Sequence, residues 1–155
     1  MLIPYFIFRF YETLRLHPSV PANQKYALDD DIWPDGTVIK KGDYVVWSPW
    51  AQGRLESVWG PDAKEFKPER WFNEDGDLKR ENQGVWPAFH AGPRVCLGQN
   101  LATLEALVAL TMLIKKYRFK MAPGQNVTYQ LSLTLPMKDG MKVYVSQREK
   151  PEIAA

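Results

Sequence analysis

The chain has 155 residues, of which 45% are hydrophobic and 25% charged, the balance of one globular domain. The net charge of +2 is too small to indicate a nucleic-acid-binding protein. The chain contains 1 Cys, which excludes an intrachain disulfide. The opening apolar run breaks at Arg9, so it predicts neither a transmembrane segment nor a signal peptide.

The first third of the chain alternates between a helical pattern and short strands. Apolar residues at helical spacing predict a helix over residues 5–16, which Pro18 and Pro21 bring to an end. Three Asp residues at 29–31 are interpreted as a solvated turn, because a metal site needs more ligands at defined spacing. Strands are predicted over residues 24–28, 37–39 and 44–47.

The middle of the chain, residues 48–92, lacks any regular hydrophobic period. Gly and Pro interrupt it repeatedly, and a connection of this length is uncommon in a compact domain. Its Trp residues argue against disorder, since disordered segments avoid aromatic side chains. We therefore expect an ordered, irregular coil that packs against a larger element.

The last third begins with the clearest helix, predicted over residues 99–117. It is apolar nearly all round, and such a helix is normally buried on several sides. Leucines then alternate with polar residues over 131–135, and Asp139-Gly140 is a strong turn signal before residues 141–145. These features predict a C-terminal β-hairpin.

The segment Phe89-His90-Ala91-Gly92-Pro93-Arg94-Val95-Cys96-Leu97-Gly98 lies just before that helix. A helix N-terminus and the positive charge of Arg94 both favour the ionised form of the Cys96 thiol. Gly92 and Gly98 let the backbone approach a flat ligand closely, and Phe89 supplies an apolar wall. The segment therefore indicates a metal-ligating sulfur.

The pattern F-x-x-G-x-R-x-C-x-G in this segment resembles the haem-binding signature of the cytochrome P450 family. The resemblance implies a haem b cofactor with Cys96 as the axial ligand to its iron. It also implies that Arg94 contacts a haem propionate and that Phe89 shields the thiolate. The implied fold class is α+β, with the helices, small sheets and hairpin of the C-terminal part of the P450 fold.

Two further motifs resemble the same family. Glu12-Thr13-Leu14-Arg15 matches its E-x-x-R helix, and Pro68-Glu69-Arg70-Trp71 resembles its P-E-R-[FW] segment. Together they imply that Glu12, Arg15 and Arg70 form a structural triad that joins the irregular connection to the first helix. Taken alone, the Glu12–Arg15 spacing would indicate only a weak surface ion pair.

The resemblance covers residues 1–155 but only the C-terminal third of a family member, so we expect a fragment that is inactive on its own. It implies that the parent is a haem-thiolate monooxygenase, an oxidoreductase that uses O2. Two alternatives stay open: a non-catalytic remnant unable to hold haem alone, and a haem-thiolate enzyme that rearranges hydroperoxides.

Within the family, the chain most resembles the fungal alkane and fatty-acid hydroxylases and the plant fatty-acid ω-hydroxylases. That resemblance implies an aliphatic substrate, with Val20, Pro21, Ala22 and Leu133 lining its pocket. It also implies electrons from an NADPH-dependent reductase or another donor. The parent is expected to be anchored in the endoplasmic reticulum membrane, on its cytoplasmic face.

Overall fold

The computed structural model describes residues 3–148, which form an α+β arrangement. Helix α1 spans Ile3–Leu16, and four short strands follow: β1 (Asn23–Tyr26), β2 (Asp31–Ile32), β3 (Val38–Ile39) and β4 (Tyr44–Trp47). Strand β1 pairs antiparallel with β4, and β2 pairs antiparallel with β3. The hairpin β2–β3 is thus nested inside the β1–β4 pair. The strands predicted over residues 37–39 and 44–47 correspond to β3 and β4.

The connection over residues 48–92 is more regular than predicted. It contains two one-turn α-helices, α2 (Pro49–Gln52) and α3 (Glu56–Trp59), and a 3-10 helix at Pro68–Trp71. Proline at the first helical position starts two of these turns, because its fixed φ suits a helix start and its missing N–H is not needed there. Single turns are too short to produce a hydrophobic period, which explains why the sequence pattern missed them.

The core lies between α1 and this connection. It consists of six buried residues, and all of them are aromatic except one alanine: Phe8, Tyr11, Trp59, Ala63, Trp71 and Trp86. The expectation that the Trp-rich connection packs against a larger element is met by α1. No described helix is long and apolar enough to cross a membrane.

Helix α4 spans Gln99–Lys116, as the apolar pattern predicts, but within the described residues it lacks the cover on several sides that is usual for such a helix. None of its residues is buried. Leu101 and Leu104 are 61% and 60% exposed. The helix contacts α1 along one side only, and the rest of its apolar surface has no cover within residues 3–148.

The predicted C-terminal hairpin is also wrong in its pairing. Strand β6 spans Val143–Gln147 and pairs antiparallel with β5, which is Tyr117–Met121 and directly follows α4. Residues 131–135 form bends rather than a strand, and a single bridge joins Tyr129 to Met137. Alternation of Tyr117, Phe119 and Met121 with basic residues was the signal that could have revealed β5.

Candidate functional site

The loop of residues 89–98, called here the Cys loop, carries Cys96 to the start of α4. A short 3-10 helix occupies Gly92–Arg94, and Gly92 has a φ of 61°, which favours glycine at this position. The Cys96 amide donates a hydrogen bond of 2.8 Å to the carbonyl oxygen of Phe89. The backbone on both sides of the sulfur is therefore fixed by the loop itself.

Cys96 lines a concavity of about 430 Å³ that opens between the Cys loop, α1 and the segment entering β1. The walls are mainly apolar, and they include Phe10, Leu14, Val20, Phe89 and Ala102. The thiol is exposed, as a metal-ligating sulfur must be to reach its metal. Sequence analysis placed Cys96, Phe89 and Val20 near one another, and the structure gathers all three around this space.

The chemistry of this concavity fits a haem. A single soft sulfur donor in apolar surroundings suits one axial bond to an iron carried in an apolar macrocycle. A Cβ at Gly98 would lie 3.7 Å from the Cys96 Sγ, an ordinary contact distance, so Gly98 directly adjoins the sulfur. Arg94 lies at the end of the 3-10 helix of the loop and is exposed, and it is not among the residues that line the concavity.

Below the Cys loop, α1 contributes a buried ion pair. Arg15 and Glu12 are both fully enclosed, and two hydrogen bonds of 2.7 and 2.8 Å join the guanidinium to the carboxylate. Arg15 also donates to the carbonyl oxygens of Gly53, Ala63 and Glu65 in the connection. A Cβ at Gly53 would overlap the Arg15 carbonyl oxygen, so this approach requires glycine.

The carboxylate of Glu12 accepts two further hydrogen bonds, from the Lys67 amide at 2.7 Å and the Trp71 indole at 3.0 Å. Burial alone would raise the pKa of Glu12. Hydrogen bonds from Arg15, Lys67 and Trp71 outweigh it and hold the pKa below its ordinary value. Glu12 is therefore ionised, and all four of its lone-pair positions are used.

Arg70, the third member of the predicted triad, is held chiefly by a different carboxylate. Its Nε lies 3.5 Å from Glu12 Oε1, but its terminal nitrogen lies 2.7 Å from Asp62 Oδ1. Hydrogen bonds from Lys67 and Arg70 lower the pKa of Asp62 to about 2. Sequence analysis missed Asp62, since nothing in its local pattern distinguishes it from a solvated turn residue.

The predicted substrate-pocket residues divide between two spaces. Val20 faces the Cys96 concavity, whereas Pro21 and Ala22 line a neighbouring cleft of about 260 Å³. Leu131 and Leu135 form the opposite wall of this cleft, and Leu133 is 84% exposed outside it. The Leu135 amide donates a hydrogen bond to the Ser19 carbonyl oxygen, and this bond holds Leu135 at the cleft.

Comparisons with known proteins identify one family. The family model described as Cytochrome P450 matches residues 1–142. Among curated relatives, Cytochrome P450 86B1 of Arabidopsis thaliana is 42% identical over 92% of this chain and 25% of its own length. Alkane hydroxylase MAH1 of the same plant is 40% identical over 88% of this chain and 28% of its own.

A shorter relative, described as Cytochrome P450, occurs in Helianthus annuus. It is 36% identical over 90% of this chain and 89% of its own length. Against the first two relatives, by contrast, the chain spans about a quarter of the length of the protein it matches. The family model and these identities together show that the chain belongs to the cytochrome P450 family.

Proposed function

We propose that this chain is the haem-ligating part of a haem-thiolate monooxygenase, with Cys96 as the axial ligand to haem b. The observation that carries the proposal is the exposed Cys96 thiol on an apolar concavity of about 430 Å³ at the start of α4. A haem bound there supplies oxygen activation, which a thiolate ligand favours by donating electron density to the iron.

The residues of the Cys loop have distinct roles in this proposal. The hydrogen bond from the Cys96 amide to the Phe89 carbonyl oxygen holds the backbone that carries the sulfur, and the Phe89 ring would shield the thiolate once haem is bound. Gly92 supplies the turn, and Gly98 directly adjoins the sulfur. Arg94, exposed at the end of the 3-10 helix, would offer a positive charge to a haem propionate.

The substrate proposed is an aliphatic chain, such as a fatty acid or an alkane. Support comes from the apolar character of Val20 in the concavity and of Pro21 and Ala22 in the adjacent cleft. One relative is itself named an alkane hydroxylase. Leu133 remains a proposed pocket residue only if the segment 131–135 moves when substrate binds, because its side chain now faces outward.

We further propose that residues 1–155 act as one portion of a longer protein, since the longer relatives have about four times the matched length. The uncovered apolar surface of α4 supports this, because exposed leucines of this number need a partner. An NADPH-dependent reductase would supply electrons to the whole enzyme. The proposed location of that enzyme is the cytoplasmic face of the endoplasmic reticulum membrane.

Haem ligation can be tested by titrating the 155-residue chain with haemin and recording the absorption and electron paramagnetic resonance spectra. We expect weak binding with a low-spin ferric thiolate signal that Cys96→Ser abolishes. The matched control is His90→Asn, which removes the other ligating side chain of the same concavity and retains a residue that tolerates its φ of 67°. The same spectra in Cys96→Ser and in the unsubstituted chain, or loss of the signal in His90→Asn, would contradict the proposal.

The need for further segments has its own test. The haem-loaded chain is mixed with a P450 reductase, NADPH and lauric acid, and hydroxylated product is measured. We expect no product beyond that of the Cys96→Ser variant, because no described segment covers the open side of the concavity. Product above that control would show that residues 1–155 suffice for oxygen chemistry.

A further inference from the structure

We propose that Trp71 is a positioning residue for Cys96. Its hydrogen bond to Glu12 of the buried ion pair fixes the Trp71 ring, and packed aromatic rings extend this restraint to the loop that carries Cys96. The proposal concerns three aromatic side chains, Trp71, Trp86 and Phe89, called here the aromatic column. It rests on the proposed function in one respect, because it assigns the column the task of holding the haem-ligating sulfur.

One end of the column is fixed by a hydrogen bond. Trp71 has no exposed surface, and its indole N–H donates to Glu12 Oε2 over 3.0 Å. The same oxygen accepts from Arg15 Nε at 2.8 Å, so the carboxylate itself cannot turn. A hydrogen bond to an ionised group is roughly twice as strong as a hydrogen bond between neutral groups. The rotation of the Trp71 ring is therefore set by the ion pair.

The remaining steps are ring contacts. Trp71 meets Trp86 edge-on, with centroids 5.2 Å apart and an interplanar angle of 67°. Trp86 meets Phe89 in the same manner at 6.0 Å and 73°. Edge-to-face pairs of this kind have a preferred geometry, so the orientation of one ring restricts the next. Tyr11 of α1 packs against both tryptophans and closes the side of the column.

The other end of the column reaches the ligand. The backbone carbonyl of Phe89 accepts the hydrogen bond of the Cys96 amide at 2.8 Å. A change in the position of Phe89 therefore changes the support of the sulfur directly. The column joins α1 to the Cys loop through packed side chains, and each step is a contact between residues that are largely buried.

Neighbouring tryptophans provide one comparison within the column, Trp86, and one control beside it, Trp59. The indole N–H groups of Trp59 and Trp86 are buried and have no hydrogen-bond partner among the described residues, whereas that of Trp71 does. Replacement by Phe at each position removes a similar area of indole. Only Trp71→Phe also removes a hydrogen bond to Glu12. Trp86 lies on the column, and Trp59 lies beside it, 5.9 Å from Trp71.

The experiment measures amide hydrogen exchange of Cys96 in the 155-residue chain without haem. The Ala27 amide, which donates to Asp43 in the turn beside β1, is the internal reference. We expect Trp71→Phe to speed exchange at Cys96 about tenfold or more relative to Ala27, since a hydrogen bond to a charged group is lost. We expect Trp59→Phe, the control outside the column, to change that ratio less than about threefold. Trp86→Phe alters the column itself but keeps the Trp71 hydrogen bond, and we expect it to change the ratio by an intermediate factor.

A purely structural role for Trp71 would speed exchange at Cys96 and Ala27 together and leave their ratio unchanged, which would overturn the proposal. If Trp71→Phe does not fold, the unsubstituted chain is measured in increasing urea below its unfolding midpoint. The Trp71 indole N–H and the Cys96 amide should then open with the same urea dependence. Separate dependences would overturn the proposal equally.

A haemin titration of the same variants separates this proposal from the assignment of Cys96. If haem binds, Trp71→Phe should lower the thiolate-ligated fraction several-fold more than Trp59→Phe does. If the unsubstituted chain binds no haem through Cys96, the proposed function fails, and the exchange ratio still decides whether the column orders the Cys loop.

Discussion

Helices α1 and α4 are both apolar, yet they differ in how deeply their side chains are buried. In α1, Phe8 is 1% exposed, and even the charged side chains of Glu12 and Arg15 are enclosed. In α4 no residue is buried, and Leu104 keeps 60% of its surface exposed. The difference lies in the cover: the Trp-rich connection wraps α1, and no described segment wraps α4.

This comparison shows that a helix's own pattern does not decide how deeply it is buried. A large apolar side chain contributes about 1.5–3 kcal/mol to the stability of the fold only when a partner removes it from water. The connection provides α1 with such a partner and adds hydrogen bonds from three carbonyls to Arg15. The leucines of α4 remain available to another surface.

The largest expected effect comes from removing one member of the buried ion pair. Arg15→Ala leaves the Glu12 carboxylate enclosed and uncompensated, and we expect a loss of about 3–5 kcal/mol in the free energy of unfolding. Urea denaturation followed by circular dichroism measures it. Lys40→Ala is the control, since the pair of Lys40 with Asp30 is exposed and screened by solvent, and its removal should leave the free energy of unfolding nearly unchanged. Similar losses in both variants would mean that the ion pair behaves as a surface contact.

Truncating one apolar side chain in each helix compares them directly. Phe8→Ala creates a cavity in the aromatic core and should cost about 3–5 kcal/mol. Leu104→Ala removes a side chain that is mostly in water and should change stability by about 0.5 kcal/mol or less. Both are measured by urea denaturation. A large loss at Leu104 would show that α4 is covered in solution.

Adding a charge to the open face of α4 should improve the behaviour of the chain rather than damage it. We expect Leu104→Glu to reduce self-association, because it interrupts an exposed apolar surface, without lowering the unfolding midpoint. Sedimentation velocity measures the association, and Phe119→Glu on β5 is the control outside the helix. Unchanged self-association in Leu104→Glu would mean that the chains associate through a surface other than α4.

A smaller effect is expected from acid. The pKa values of Glu12 and Asp62 are both lowered in the folded chain, Asp62 from 3.8 to about 2. A lowered pKa stabilises the fold above the unfolded value, so this contribution is lost as pH falls from about 4 toward 2. Asp62→Asn should show a shallower decline in melting temperature over that range. An identical decline in both proteins would mean that protonation of Asp62 does not contribute to the loss of stability in acid.

The sequence was sufficient for the features that depend on local pattern or on a fixed motif. Helix α1, helix α4 and strands β1, β3 and β4 follow from periodicity and turn residues, and the Cys loop follows from its motif. Pairing between distant segments could not be read in this way. The union of β5 with β6 and the ion pair of Arg70 with Asp62 depend on tertiary contacts that leave little local signal.

The outward position of Leu133 and the exposure of α4 have a common physical cause. Alternation in residues 131–135 predicts a strand only if a neighbouring strand pairs with it, and none of the described strands does. In the same way, an all-round apolar helix predicts burial only if partners surround it. The missing strand and the exposed helix are both explained by what lies beside each segment and not by the segment's own sequence.

The central claim is that Cys96 ligates haem iron, and the reduced carbon monoxide complex tests it most directly. The chain is loaded with haemin, reduced with dithionite and exposed to carbon monoxide, and the Soret region is recorded. The account predicts the red-shifted band of a thiolate ligand in the unsubstituted chain and its absence in Cys96→Ser. The same band in both proteins would contradict the assignment, because the sequence contains 1 Cys.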